Sequence, residues 1–413
     1  MIKEKHSHIN ADEEQKRYFE IEKKYEKNNR ALNIALTAAF FAFIYVFAIL
    51  FWALPDKDVS VEENRSLAAA PEFSFKTLAD GSYTADFATY MADQFPARNF
   101  FVGMKAQAER LTLRGGNNGV IFADDGYLVK RFDSPDEETY RKNVGYICDF
   151  AAFAKSEGID VTIGIAGRTL DVAQSVLPSV YGTDSSDKTW SIIESAFKDN
   201  GTAFADLKTP LKERFDAGEY VYYKTDHHWT TLGAFYAYTE LARAAGIDPA
   251  PRDLFRRDTV SDSFFGTTWS SAGAKWIGPD ELDFFRFDGD ESLVTDRGDD
   301  GGSFDGLYDV SFLEKKDKYS AFIGGNAARV DVTSNDGERE KILVVKDSFF
   351  HSMAPFFAKD YDLIMIDLRY YMDTVPVIDI CRNEGVDKVL FMLNAETLGD
   401  ESGLRTLKIG LTD

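Results

Sequence analysis

The longest apolar stretch of the chain runs from residue 31 to residue 54 and holds no charged side chain (ALNIALTAAFFAFIYVFAILFWAL). As a helix it reaches about 36 Å, which matches the thickness of a bilayer core. A cleaved signal peptide has a shorter apolar run, of about 7 to 15 residues, and a small-residue cleavage site, which Leu54-Pro55-Asp56 does not offer. A buried helix of a soluble domain seldom runs this long without a polar face. The pattern therefore predicts a retained transmembrane helix over 31–54.

Basic residues flank this stretch unequally. Only Lys57 and Arg65 follow it closely, whereas the residues that precede it include Lys16, Arg17, Lys23, Lys24, Lys27 and Arg30. Cytoplasmic flanks of membrane spans are enriched in Lys and Arg. We therefore expect a single-pass protein of the cell membrane, with a cytoplasmic tail over 1–30 and an extracellular C-terminal part.

Beyond the span, residues 55–118 are typical of a linker followed by helices, and residues 119–413 of one domain. In that domain the apolar runs KILVVKD, DLIMIDL and DKVLFML alternate with stretches of helical periodicity. Two apolar runs around Asp124-Asp125-Gly126 predict a hairpin. The alternation predicts an α/β fold, a three-layer sandwich with a mainly parallel sheet. Between about 250 and 340 the rhythm lapses, which indicates an insertion that forms a lobe beside the functional site.

Composition and charge narrow the class of protein. Hydrophobic residues are 44% and aromatic residues 14% of the 413, far from the composition of a disordered chain. The net charge is −22 and no Lys- and Arg-rich stripe is visible, which argues against nucleic-acid binding. Cys148 and Cys381 lie in apolar, helix-like stretches, which favours two buried free thiols. A long-range disulfide is the alternative, because the predicted compartment is oxidising.

The segment YYKTDHHWTTLGAFYAY concentrates candidate chemistry at the junction between an extended run and a helix. Its helix has Thr230 or Thr231 as the predicted N-cap. Asp226 and His228 are two positions apart, so on an extended segment their side chains share a face. We expect the carboxylate to orient the imidazole and to leave its other nitrogen free as a general base.

A nucleophile for such a base follows the run KILVVKD. Ser348 opens a predicted helix after that strand, at the edge of the sheet where active sites of open parallel sheets gather. Its backbone amide is a candidate oxyanion donor, because the amides at a helix N-terminus are free. Ser348, His228 and Asp226 are therefore predicted to form a catalytic triad. The structural alternative is that Ser348 or Asp347 is only a helix N-cap.

The next two predicted strands end in further polar residues. Arg369 and Asn394 are candidates for oxyanion or substrate donors, and Tyr370 and Trp229 are candidates for substrate binding. The structural alternatives are an ion pair for Arg369 and a turn for Asn394.

A metal site is a further alternative for the histidine-rich segment. Its candidate ligands are Asp226, His227, His228 and His351. Adjacent residues of an extended segment point to opposite faces, so we predict no metal here.

At these positions the sequence resembles the DHHW protein family and, more distantly, the alginate O-acetyltransferases of the AlgJ and AlgX type. The segments that carry the resemblance are Glu62-Glu63-Asn64-Arg65, Asp93-Gln94-Phe95-Pro96-Ala97-Arg98, Asp226-His227-His228-Trp229, YSAFIGGN from Tyr319 to Asn326, Lys346-Asp347-Ser348-Phe349 and Asp367-Leu368-Arg369-Tyr370.

The resemblance implies an SGNH-hydrolase-like catalytic domain. In it Asp226 and His228 match the Asp and His of the acetyltransferase motif, and Ser348 matches the nucleophilic Ser. Ordinary SGNH hydrolases place the Ser first in the chain, whereas here Asp-x-His comes first, as in the alginate group. His227 takes no role from the resemblance.

The resemblance and the predicted anchor together imply an extracytoplasmic O-acyltransferase, with acetyl as the group transferred to a polysaccharide and with no cofactor. Acetyl-CoA is absent outside the cell, so a donor must pass through the membrane; in related systems a multi-spanning MBOAT-type partner does this. One alternative is an esterase with the same triad. Another is a non-enzymatic polysaccharide-binding or assembly protein that uses Trp269, Trp276 and Tyr308.

Overall fold

The computed structural model describes residues 11–60, 62, 65–112, 114–132, 135–298, 301–335, 337, 339–372, 374–400 and 402–411. Glu63 and Asn64 of the first resemblance segment and the first ten residues of the tail lie outside these ranges. The chain divides into two compact units. One comprises Met1–Ser60 with Arg65–Arg98, and the other comprises Val61–Asn64 with Asn99–Asp413.

The first unit is built on one long helix. Its elements are α1 (Ala11–Ala53), β1 (Val59–Ser60), β2 (Arg65–Ser66), α2 (Phe75–Ala79) and α3 (Ser82–Asp93). The part Gln15–Ala53 of α1 is long and apolar enough to cross a membrane, and no other helix in the described ranges is. Side chains over 31–50 are exposed except for the half-buried Phe47. The predicted span is therefore a helix whose apolar surface suits lipid.

The second unit alternates helices and strands. Its helices are α4 (Arg98–Leu111, whose first residue belongs to the first unit), α5 (Glu137–Ser156), α6 (Thr169–Val172), α7 (Asp184–Asp199), α8 (Lys208–Asp216), α9 (Thr231–Ala244), α10 (Thr267–Ala272), α11 (Ala354–Ala358), α12 (Val377–Glu384) and α13 (Ala395–Asp400). Its strands are β3 (Gly116–Asn117), β4 (Val120–Phe122), β5 (Leu128–Lys130), β6 (Asp160–Ala166), β7 (Ala205–Asp206), β8 (Arg256–Phe264), β9 (Asp280–Arg286), β10 (Val294–Asp296), β11 (Ser303–Asp305), β12 (Arg329–Thr333), β13 (Lys341–Lys346), β14 (Asp362–Ile366) and β15 (Lys388–Asn394).

An eight-stranded mixed sheet lies at the centre of this unit, in the order β11-β10-β12-β14-β13-β15-β6-β7. The five strands from β14 to β7 are parallel, and Val344 of β13 lies opposite Met365 of β14 and Leu390 of β15. A separate three-stranded sheet of β3, β4 and β5 contains the predicted hairpin, which is confirmed.

Side chains of the central strands alternate between two apolar cores. Leu343 and Val345 pack with α5, α7 and α12 on one face, whereas Ile342 and Val344 pack with α9 and α11 on the other. The predicted α/β class and its three layers are confirmed.

Cys148 and Cys381 are buried and unpaired, and burial raises the pKa of the Cys381 thiol to about 12.

The region predicted as a lobe, residues 250–340, behaves differently in its two halves. Strands β8 and β9 form their own antiparallel pair. Strands β10, β11 and β12 instead extend the central sheet with antiparallel pairings, so the single-lobe prediction is wrong for this half. These strands have three to five residues and several half-exposed or exposed side chains, so they lack the continuous apolar run of a buried strand.

Asp290, in the turn after β9, has a buried carboxyl group with an incomplete set of hydrogen bonds. It is 4% exposed, its Oδ2 has no hydrogen-bond partner within the described residues, and the guanidinium of Arg286 lies 3.8 Å away. Burial raises the pKa of Asp290 to about 6. In the unfolded chain an Asp pKa lies near 3.9, so between these values only the folded state holds the proton.

The Asp290→Asn variant is therefore expected to gain stability over the parent as the pH rises. Protonation of Asp290 favours folding at low pH, and this contribution is lost as the pH rises through about 6. We expect similar unfolding free energies at pH 4, near the unfolded pKa, and an advantage of about 1–3 kcal/mol for the variant at pH 8. Thermal unfolding of the full chain in detergent measures this. The exposed neighbour Asp288, changed to Asn, is the control; an equal gain for both variants, or a gain at pH 4 alone, contradicts the account.

Candidate active site

The loop before α9 holds the predicted acid and base. Tyr222 and Trp229 form an antiparallel bridge that closes it, and Thr230 caps α9 by accepting a bond from the Gly233 amide at 3.2 Å. This confirms Thr230 as the N-cap. The loop is a series of bends and not the extended segment that the sequence predicts. Gly266 packs against it so closely that a Cβ there would lie 2.2 Å from the Cβ of Asp226.

Ser348 follows β13 and begins a short 3-10 turn, Ser348–Phe350. The Asp347 side chain caps this turn by accepting a bond from the backbone N–H of Phe349 at 2.9 Å. It also accepts one from the backbone N–H of Asn394 at 2.6 Å. The N-cap role therefore belongs to Asp347, and the Ser348 hydroxyl is left for another partner.

That partner is His228. Its Nε2 lies 2.8 Å from the Ser348 hydroxyl oxygen, and its Nδ1 lies 2.5 Å from Asp226 Oδ1. Asp226 Oδ2 accepts bonds from the Thr267 amide at 2.8 Å and from the Thr267 hydroxyl at 3.1 Å. The structure thus joins three side chains, from segments about 120 positions apart, into one hydrogen-bonded chain.

Electrostatics favours a charged carboxylate in this chain. Burial raises the pKa of Asp226, but the neighbouring His227 and His228 and the bonds from His228 and Thr267 outweigh burial and hold that pKa well below its usual range. An ionised Asp226 fixes the proton of His228 on Nδ1. Nε2 is then an acceptor that can take the Ser348 proton.

Tyr319 supports the base and the nucleophile together. Its ring stacks on the His228 ring at a centroid distance of 4.0 Å, and its hydroxyl donates to the Ser348 carbonyl at 3.1 Å. Tyr319 begins the segment YSAFIGGN, and no role was predicted for it. Thr267 was missed altogether, because nothing in its neighbourhood signals a contact with residue 226.

Trp229 does not line the cavity, and the prediction that it binds substrate is wrong. It is 0% exposed, so its indole cannot reach a ligand. The indole N–H donates to the Phe349 carbonyl at 3.1 Å and to the Ser352 hydroxyl at 3.0 Å. Trp229 therefore fixes the turn that carries Ser348.

Ser348 opens into a cavity of about 550 Å³. Arg369 and Asn394 line it, as do His227, Lys130 and Glu396, whereas Tyr370 does not. The Tyr370 hydroxyl instead accepts a bond from the Asn326 side chain at 3.4 Å. Of the four additional candidates, the structure thus brings only Arg369 and Asn394 to the cavity.

The donors around Ser348 differ in what they are free to bind. The side-chain amide of Asn394 donates to the Gly167 carbonyl at 3.1 Å. The Arg369 guanidinium donates two hydrogen bonds to the Asp367 carboxylate, of 2.9 and 2.7 Å. Within the described residues, the backbone N–H of Ser348 donates no hydrogen bond. It is therefore the readiest donor for a developing oxyanion.

The histidine-rich segment also bears on the metal alternative. Asp226, His227 and His228 offer ligand atoms that lie within 4.8 Å of one another, and the two imidazole rings are 3.9 Å apart. The two His side chains therefore do not face opposite ways as predicted, because the segment bends. His351 is not in this cluster, since it is buried and its Nε2 lies 2.7 Å from Lys346 Nζ.

The domain has an SGNH hydrolase-like fold, and in it a Ser that follows one parallel strand is hydrogen-bonded to an Asp-x-His loop. The comparisons agree. Residues 210–366 match the family described as DHHW protein, and residues 113–265 match the SGNH hydrolase-like domain of acetyltransferase AlgX. The resemblance to both families is confirmed. No curated protein matches the chain.

Solved structures share this fold. A DHHW family protein from Eubacterium siraeum is 20% identical with a TM-score of 0.57, and covers 72% of this chain and 97% of its own. Bacillus cereus PatB1, in a structure with a sulfonyl adduct, is 17% identical with a TM-score of 0.56, and covers 70% of this chain and 99% of its own. The O-acetyltransferase domain of Pseudomonas putida AlgJ is 16% identical over 68% and 93% of the two chains, and its TM-score of 0.46 is too low to show a shared fold.

Proposed function

We propose that the protein is a membrane-anchored O-acyltransferase that moves an acetyl group onto a cell-surface or secreted polysaccharide. The observation that carries the proposal is the hydrogen-bonded chain from Asp226 through His228 to Ser348, at the wall of an open cavity. The similarity to an AlgX-type acetyltransferase domain supports the reaction class. The apolar helix of the first unit supports the anchor. The basic residues that precede this helix support a cytoplasmic N-terminus.

In the first step His228 Nε2 takes the hydroxyl proton of Ser348 while the serine oxygen attacks the acyl carbonyl of the donor. The negative charge on the carbonyl oxygen is stabilised by the Ser348 amide. His228 then returns the proton to the leaving group, and the acetyl group remains as an ester on Ser348. Asp226 keeps the imidazole oriented and stabilises its positive charge.

In the second step a sugar hydroxyl takes the place of the leaving group. His228 removes its proton, the sugar oxygen attacks the acetyl ester, and the proton passes to Ser348 as the acetyl group departs. A donor on the extracellular side must come from a membrane partner, and we propose a multi-spanning acyltransferase of the MBOAT type. If water enters instead of the sugar, the same steps give an esterase.

Purified full-length protein in detergent, given an activated acetyl ester and an oligosaccharide, tests the proposal. We expect acetylated oligosaccharide by mass spectrometry, in excess of free acetate. Free acetate with no acetylated sugar would assign an esterase. Neither product would contradict both enzymes and favour a binding or assembly protein.

A further inference from the structure

A second cavity lies beside the one that contains Ser348. It has a volume of about 230 Å³ and lies between α4 and the turn that joins β3 to β4. The two cavities share lining residues Asn118, Gly119, Val120 and Arg131. An oligosaccharide that reaches Ser348 with one sugar can therefore extend across this turn into the second cavity.

The turn between the cavities is held in place from both sides. Asn117 donates to the Ala272 carbonyl at 2.9 Å, and Asn118 donates to the Ser271 carbonyl at 3.1 Å. From the other side the Lys105 ammonium donates to the Asn118 side chain at 3.0 Å. Gly119 at the crest adopts a φ of +75° and carries no side chain, and a Cβ there would meet nothing within 4 Å. The turn is therefore held in position by these hydrogen bonds, and at Gly119 no side chain blocks the passage between the two cavities.

The charge around the two cavities is opposite in sign to that of the whole chain. Their cationic lining residues are Lys105, Arg114, Lys130, Arg131 and Arg369. Their anionic lining residues are Glu109, Glu396 and Asp400. Cations therefore outnumber anions here, although the net charge of the chain is −22. Such a patch attracts an anionic ligand that the rest of the surface repels.

Arg131 differs from the other cations of the two cavities because its guanidinium has no polar partner of any kind among the described residues. Lys130 pairs with Glu396, Arg369 with Asp367, and Arg114 with Glu109. Within the described residues the Arg131 guanidinium has neither an ion pair nor a hydrogen bond, and its side chain is exposed where the cavities meet. A free guanidinium presents a planar fork of donors that fits a carboxylate or a phosphate.

We propose that the second cavity is an acceptor subsite, and that Arg131 binds an anionic group, a carboxylate or a phosphate, on a sugar near the one that is acetylated. The inference rests on the proposed function, because it takes Ser348 as the residue that carries the acetyl group. Arg131 is then a specificity-determining residue. It acts on the second step, whereas acetylation of Ser348 by the donor does not involve the acceptor.

The test uses full-length protein in detergent and three acceptors: a carboxylated tetrasaccharide, the same compound with its carboxylates reduced to alcohols, and a phosphorylated tetrasaccharide. Arg131→Gln is compared with the parent, with Arg131→Lys, and with Arg243→Gln. Arg243 is an exposed arginine of α9 that pairs with Glu240, so its variant controls for loss of one positive charge. The rate of Ser348 acetylation and the KM for each acceptor are measured separately.

We expect Arg131→Gln to raise the KM for at least one anionic acceptor by about tenfold or more, corresponding to a loss of about 1.4 kcal/mol of binding. Arg131→Lys should recover part of the loss. Ser348 acetylation, use of the reduced acceptor and the Arg243→Gln variant should be unchanged. The anionic compound that shows the effect identifies the group as carboxylate or phosphate.

Two results overturn the inference while leaving the proposed function intact. One is transfer to both anionic acceptors by Arg131→Gln at the parental KM. The other is equal use of the carboxylated, reduced and phosphorylated compounds by the parent protein. Absence of acetyl on Ser348 in the parent, by contrast, contradicts the proposed function itself.

Discussion

Replacing Ser348 with alanine is expected to lower acetyl transfer by a factor on the order of 10⁴ to 10⁶, which leaves only the rate that binding and oxyanion stabilisation supply. The hydroxyl is the atom that would hold the acetyl group, and no other described hydroxyl is hydrogen-bonded to His228. The change removes one oxygen from a half-buried side chain and leaves the Asp347 cap in place, so the fold should persist. Initial rates of transfer from an activated acetyl ester measure the effect.

The exposed Ser263 of β8, changed to alanine, is the matched control and should keep the parental rate. A Ser348→Ala protein that unfolds like the parent and retains more than about a tenth of the activity would remove Ser348 from the mechanism, because a covalent nucleophile is worth far more than tenfold.

Replacing Asp226 with asparagine is the second large effect, an expected loss of about 10⁴-fold in kcat. An amide can point its NH₂ toward His228 Nδ1, which would stabilise the wrong tautomer and turn the donor N–H toward Ser348. The structure makes this severe because Nδ1 has Asp226 as its partner at 2.5 Å and the pair is buried. Steady-state kinetics at several pH values measure it.

Asp362→Asn is the control for changing a buried carboxylate. Asp362 is 5% exposed and accepts a bond from the Ser334 amide at 2.8 Å, at the start of β14 and so at the opposite end of the parallel strands from Ser348. It should lose stability without losing activity per folded molecule. Equal activity losses in the two variants would show that Asp226 acts only through the fold.

The strands that could be predicted are those whose own sequence is a continuous apolar run. β13, β14 and β15 are buried on both faces, so each is a continuous apolar run in the sequence. β7 has two residues, and β10 to β12 are short with partly exposed side chains, so only their pairing partners make them strands.

The candidate site shows the same division. Asp226, His228 and Ser348 could be selected because each lies beside a local feature, an Asp-x-His segment or the end of an apolar strand. Thr267 reaches Asp226 from about 40 positions away through a helix that the sequence does not connect to it. Trp229 and His227 were misjudged because their orientation depends on the bends of the loop, and alternation along an extended segment does not apply there.

The most direct test of the central claim is to find which residue an acyl or sulfonyl reagent modifies. Full-length protein is treated with an activated acetyl ester or with phenylmethanesulfonyl fluoride, digested, and mapped by mass spectrometry, beside Ser348→Ala and Asp226→Asn. The account predicts one modification that depends on Asp226, on Ser348, formed quickly in the parent, slowly in Asp226→Asn and not at all in Ser348→Ala. An Asp226-dependent modification at another residue instead, or modification of Ser348 at the same rate in the parent and in Asp226→Asn, would contradict it.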